Sequence, residues 1–344
     1  MTRIPIAPCT VNTDSIMNRL KISPVLWYGV LLPFLLVVSL CASCGGPAST
    51  RRQVDSVSAP AKRHYPLPSV PGVIAEPSER AEYVLERYWN RFDFRDTTWL
   101  ADTAAFEQTF ANYLGAAEMV PRSRAAVSLG DLFAAASVEP SMYRRFAEVA
   151  ERYLYEPNSP MRDEDLYESV LRILLDSQVL DEVEKVRPRH QLWMCSKNKV
   201  GSRAADIRYR TPSGDTGHLY GLKVPYVLLF FHDPDCGMCH EVTMRLDASA
   251  VIRKLIDAGR LVVLCIYADD DGPAWRSYVE QMPRRGWILG WDQWQTLRTQ
   301  ESYDLRATPT LYLLGPGQEV LVKNGVFPAI EQMCVSLESE SSNE

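Results

Sequence analysis

The chain is 344 residues long, 46% hydrophobic and 10% aromatic, with a formal charge of −6 at neutral pH. That length and apolar content suit two folded domains, and an acidic chain with no basic stripe interleaved with aromatics offers nucleic acid nothing to bind. Residues 1–44 read as a lipoprotein signal peptide and are set aside from fold reasoning. Arg19 and Lys21 supply a basic flank, Val25 to Leu40 an apolar stretch, and Leu40-Cys41-Ala42-Ser43-Cys44-Gly45 an approximate lipid-attachment box. Cys44 is then the expected lipid-bearing residue, and Met17 opens a more conventional leader than Met1 does. Cys41 is atypical in such a box, so an uncleaved transmembrane anchor stays open as the alternative.

Residues 45–77 are rich in Pro, Ser, Ala and Arg without a sustained apolar period, which predicts a flexible tether. Residues 78–188 predict an all-α domain. Phe106, Phe110, Tyr113 and Leu114 recur at helical spacing, as do Met142, Phe146, Val149, Ala150, Tyr153 and Leu154. A third run, Leu166, Val170, Leu171 and Leu174, begins after Asp163, a good N-cap. The aromatics Tyr83, Tyr88, Trp89, Phe92, Phe94 and Trp99 are expected in a core rather than on a ligand platform.

From 189 to 344 the period switches. Strand-like runs at Ile207–Tyr209, Tyr226–His232, Leu261–Tyr267, Thr310–Leu314 and Val320–Lys323 alternate with predicted helices at Glu241–Ala258, Pro273–Gln281, Asp292–Glu301 and Pro328–Leu337. That alternation predicts an α/β domain, a central mixed sheet with helices on both faces. Gly315-Pro316-Gly317 turns the last two strands into a hairpin. Cys265, inside an apolar strand, is expected as a small buried hydrophobe, and Cys195 and Cys334 as structural or free thiols, a disulfide between them being the lesser alternative.

Chemistry concentrates where the run Tyr226-Val227-Leu228-Leu229-Phe230-Phe231-His232 ends in Asp233-Pro234-Asp235-Cys236-Gly237-Met238-Cys239-His240. A Cys-x-x-Cys pair between a buried strand and a helix suits dithiol redox work. A thiolate at a helix N-terminus faces unpaired N–H groups and the positive end of the dipole. Cys239, one turn on, can reach back and expel a captured thiol. The same letters spell the attachment motif for c-type haem, with His240 as axial ligand, and His232, Cys236, Cys239 and His240 form a conceivable metal set. The strand before the pair and the helix after it favour the dithiol, so neither metal nor other cofactor is expected beyond a redox-active Cys236–Cys239 disulfide. Asp269-Asp270-Asp271 reads as a solvated loop. Further along, Arg306-Ala307-Thr308-Pro309-Thr310 sets a proline directly before an apolar strand. Proline cannot donate to a sheet ladder, and a cis bond before Pro309 is expected, a trans proline at a strand entrance being the alternative.

With these two motifs the sequence resembles the thioredoxin superfamily, over about residues 192–337. The resemblance implies that Pro309 lies against the dithiol and that Thr308 offers its backbone to the bound substrate strand. Gly201 to Tyr209, followed by a Pro-Ser-Gly-Asp turn, looks like the opening hairpin of TlpA-like envelope disulfide reductases. Arg91-Phe92-Asp93-Phe94 and Glu156-Pro157-Asn158-Ser159-Pro160-Met161-Arg162 look like marks of a helical domain of unknown function found joined to such modules in Gram-negative lipoproteins. The chain departs from the thioredoxin pattern at Phe230, where a buried acid is usual, at Asp235, where a Trp is usual, and at Met244, where a Pro is usual. Asp233 and Asp235 also set negative charge beside Cys236, against the helix dipole.

The expected activity is that of a thiol:disulfide oxidoreductase, catalytic at Cys236 and Cys239, binding substrate at Thr308 and Pro309, and held in the cell envelope facing the periplasm by lipid on Cys44. Its expected partners are disulfide-containing exported proteins and an upstream envelope electron donor. The rival reading is a non-catalytic lipoprotein scaffold whose dithiol is vestigial.

Overall fold

The computed structural model describes residues 63–341, so Cys44, the leader and most of the tether lie outside the described residues. The contact pattern divides the chain between Tyr153 and Leu154. The division expected from the sequence falls later, at residue 188. By their contacts, the helical residues in between belong to the second unit.

The first unit is helical, as the periodicity predicts: α1 (Pro77–Arg87), α2 (Thr98–Ala101), α3 (Thr103–Ala117), α4 (Arg122–Ala136) and most of α5 (Pro140–Leu154). Pro77 opens α1, where its missing N–H costs nothing, and the Asp102 carboxylate caps α3 by accepting from Ala105 N. Tyr88, Phe92 and Trp99 are buried among Phe106, Phe110, Tyr113 and Phe146, a core as expected. The Tyr88 hydroxyl keeps its hydrogen bond by donating to Thr109 O at 2.8 Å.

In the second unit, α6 (Glu164–Asp176) and α7 (Val186–Cys195) precede a seven-stranded sheet of order β2-β1-β5-β4-β3-β6-β7. The strands are β1 (Arg208–Arg210), β2 (Thr216–His218), β3 (Tyr226–His232), β4 (Leu261–Tyr267), β5 (Trp287–Trp291), β6 (Thr310–Leu314) and β7 (Val320–Val322). Strands β3, β4 and β5 run parallel to one another, and the remaining pairings are antiparallel, which makes the sheet mixed as expected. Strand β3 is covered on both faces, which is why its sequence is apolar throughout rather than alternating. Leu228 and Phe230 pack with Cys239, Val242 and Ile330 on one side, Leu229 and Phe231 with Leu264, Tyr303 and Tyr312 on the other.

Three local expectations are corrected. The single helix expected over 241–258 is two, α8 (Gly237–Ala248) and α9 (Ala250–Asp257). Ser249 breaks it with extended backbone, donating from its hydroxyl to Glu331 at 2.7 Å. Strand β5 fills a stretch with no strand prediction, and Gly290 suits it because a β-carbon would lie 2.9 Å from Tyr209 Cβ on the neighbouring strand β1. The helix expected over 292–301 shrinks to α11 (Thr296–Gln300), since the buried Asp292 carboxylate caps it from a distance, accepting from Leu297 N at 2.7 Å. The remaining helices, α10 (Gly272–Val279) and α12 (Phe327–Ser341), lie where predicted.

Candidate active site

Strand β3 and helix α8 meet in a tight turn that sets the reactive geometry. Asp233 Oδ1 accepts from Asp235 N at 2.8 Å, and Cys236 N donates to Asp233 O at 3.1 Å. The chain therefore enters α8 with Cys236 as its N-cap, in extended backbone. Its sulfur does what a Ser or Asp oxygen does at other N-caps and accepts from Cys239 N at 3.2 Å. One peptide N–H and the N-terminal end of α8 thus point at this sulfur.

Cys236 is half-buried, and Cys239 is buried beneath it. Both are free thiols in this structure, as are Cys195, Cys265 and Cys334, all three buried. Burial pushes the Cys239 thiol up to about 12, with the Cys236 sulfur beside it adding to the rise. The two sulfurs therefore differ in role: one is presented, the other withheld.

From the other side comes the loop before β6. The Thr308–Pro309 peptide is cis, as expected. The Cys236 thiol donates to Thr308 O at 3.4 Å. The loop is braced by Arg306, which forks onto the Asp304 carboxylate at 2.8 Å through two nitrogens and stacks over the Tyr155 ring. The structure thus brings Cys236, Cys239 and Thr308 together, with Pro309 next in the chain. Cys44 lies outside the described residues.

The sequence offers His232 and His240 as partners of the dithiol in a metal set, but the structure separates their surroundings. His240 is exposed on α8, whereas His232 is buried and stacked on Tyr278 with ring centroids 5.2 Å apart. Among the described residues no group of three His, Cys, Asp or Glu side chains could hold a metal ion. The acidic run is structural: Asp271 caps α10 by accepting from Ala274 N, and Asp269 pairs with Arg298. Sequence reasoning missed a cavity of about 410 Å³ beside the site, lined by Thr308, His232, Asp269, Arg306 and residues of α7 and α11. It also passed over the buried polar character of His232, which the alternation Leu228, Phe230, His232 along one face of β3 could have signalled.

Both parts of the chain are similar to known proteins. Residues 43–198 match a domain of unknown function (DUF5106), and residues 219–336 match the thioredoxin-like domain. A crystal structure of a thioredoxin-like protein from Bacteroides caccae is 35% identical, with a TM-score of 0.76, over 79% of this chain and 98% of that one. The C-terminal domain of an uncharacterized protein from Bacteroides fragilis is 36% identical over 41% of this chain and 99% of its own, with a TM-score of 0.40. No curated protein matches the chain. The chain belongs to the thioredoxin-like family, with a DUF5106 domain preceding the thioredoxin-like one.

Proposed function

We propose that this protein is an envelope-anchored thiol:disulfide oxidoreductase that reduces disulfides of exported proteins through Cys236 and Cys239. One observation carries the reading: the Cys236 sulfur caps α8, accepting from Cys239 N, and lies 3.4 Å from the Thr308 carbonyl, with Cys239 buried one turn behind. In the reduced protein the Cys236 thiolate attacks a substrate disulfide. A bond forms between Cys236 Sγ and one substrate sulfur, and the other substrate sulfur leaves as a thiol. Cys239 then attacks Cys236 Sγ, the Cys236–substrate bond breaks, and the second substrate thiol departs. The protein is left with a Cys236–Cys239 disulfide, two electrons having passed to the substrate. The substrate chain lies extended along Thr308 and Pro309 during both steps. No bound cofactor is required, because the disulfide itself carries the electrons. An upstream envelope dithiol must restore the reduced form. A reductant of exported proteins belongs in an oxidising compartment, which accords with a lipid on Cys44.

The test is substrate trapping. Cys239→Ala keeps the attacking sulfur and loses the expelling one, so it should accumulate mixed disulfides with envelope proteins, visible on non-reducing gels and absent from Cys236→Ala. Equal absence of adducts in both variants would contradict the assigned order of attack.

A further inference from the structure

Residues 154–198 lie within the DUF5106 match, yet by their contacts they belong with the sheet. Arg306 stacks over the Tyr155 ring, its guanidinium carbon 3.7 Å from the ring centroid, and donates to Tyr155 O at 3.3 Å. On α7, His190 Nε2 lies 3.3 Å from Glu301, and just past α7 Asn198 Nδ2 donates to Ser302 O at 2.8 Å. The tail of the helical match is thus fastened to the end of α11 and to the loop that carries Thr308.

Between that tail and the sheet lies the cavity of about 410 Å³. Tyr155 and Met194 wall it from the tail, Leu297 from α11, and Phe231 and Tyr303 from the sheet face opposite α8, all five of them buried. The charged groups around it are paired with one another: Arg298 with Asp269, His190 with Glu301, Arg306 with Asp304. Arg187 is engaged as well. Such a lining gives a charged ligand no unpaired partner, and its apolar walls favour an apolar one. Thr308 borders the cavity and also accepts from the Cys236 thiol at 3.4 Å, so a single residue touches both the cavity and the reacting sulfur.

Resting on the dithiol reading above, we infer that this cavity is a side-chain subsite for the substrate peptide, selecting chains with a large apolar side chain two residues from the attacked half-cystine. Side chains alternate along an extended chain, so a half-cystine turned toward Cys236 also turns the side chains two positions away, about 7 Å along, toward the protein. The residues between them face outward and go unread. A volume of about 410 Å³ sits at the low end of pockets that enclose a small ligand, about 300–1,000 Å³, which suits one aromatic side chain rather than a length of chain. Tyr155 and Met194 lie outside the thioredoxin-like match at 219–336, so the tail of the helical domain completes a substrate site that the redox module alone leaves open on one side.

The probes are symmetric disulfides of two pentapeptides, Phe-Ser-Cys-Ser-Phe and Ser-Ser-Cys-Ser-Ser, reduced by the full protein with dithiothreitol as electron source. Each carries its test side chain on both sides of the half-cystine, so the direction of binding does not matter. The wild type should favour the Phe peptide in kcat/KM by about tenfold, the low end of what an apolar pocket discriminates. Ala268→Phe, which fills the cavity from the loop after β4, should bring that ratio close to one. Met194→Ala widens the cavity instead and should raise kcat/KM for a Trp analogue of the peptide relative to the Phe peptide. A wild-type ratio near one, with both peptides reduced, overturns the inference and would leave the cavity to a free small molecule. A tenfold ratio that persists in Ala268→Phe overturns it too, as does a Trp-to-Phe ratio that Met194→Ala leaves unchanged. A wild type that reduces neither peptide would instead defeat the dithiol reading itself.

Discussion

At the scale of single residues, a buried neutral histidine leaves a pH signature on stability. The unfolded chain takes up a proton on His232 near its ordinary 6.5, whereas the folded chain refuses it until about 4. Between those values the unfolded state binds more protons, so stability falls as pH drops through the window. The loss between pH 7 and pH 5 should be about 2 kcal/mol. Urea denaturation at those two pH values checks this: the wild type should lose that amount and His232→Phe markedly less. Equal losses would mean that His232 charges freely in the folded protein. The dithiol was legible in the sequence because its chemistry is local, two cysteines one turn apart after an apolar run. The contact with Thr308 was legible only through the resemblance, since chain spacing does not reveal distance. That His232 Nδ1 finds no hydrogen-bond partner among the described residues was not legible, because whether a partner exists is decided by packing.

At the scale of elements, α6 is fastened to the loop after β7 by an ion pair whose side chains are only 10% and 14% exposed. Lys323 Nζ meets Glu164 at 2.8 Å and donates to the carbonyls of Cys195 at 3.1 Å and Lys197 at 2.7 Å. Burial works against the Glu164 charge, but Lys323 and Arg162 outweigh it and hold the carboxyl below its ordinary range. Removing one partner of such a pair strands the other. Lys323→Met should therefore cost about 3 kcal/mol in urea denaturation, well above the value of an exposed pair. Adding Glu164→Gln should recover part of the loss, whereas a cost under about 0.5 kcal/mol would mean the pair behaves as a surface contact. Elements were legible where period and length agreed, as in β3, β4 and β6, whose bounds match the expected ones. Strand β5 escaped because Trp287-Ile288-Leu289-Gly290-Trp291 is a short run that only its pairing with β4 makes a strand. The break at Ser249 escaped because its side-chain partner, Glu331, lies far along the chain.

At the scale of the whole molecule, anchoring and chemistry should be separable. Lipid on Cys44 would hold the protein to the envelope, and the dithiol lies far along the chain in the thioredoxin-like domain. Cys44→Ala should move the protein from the membrane to the soluble fraction with unchanged disulfide reduction per molecule. Retention of the variant in the membrane fraction would contradict the lipid anchor. Among the described residues no helix is long and apolar enough to cross a membrane.

The central claim is that Cys236 and Cys239 transfer electrons to protein disulfides, and insulin reduction with dithiothreitol as electron source tests it most directly. The purified protein should accelerate precipitation of the insulin B chain many-fold over dithiothreitol alone, and Cys236→Ala should abolish the acceleration while remaining folded. A wild-type protein no faster than Cys236→Ala would contradict the account and leave the dithiol without a catalytic role.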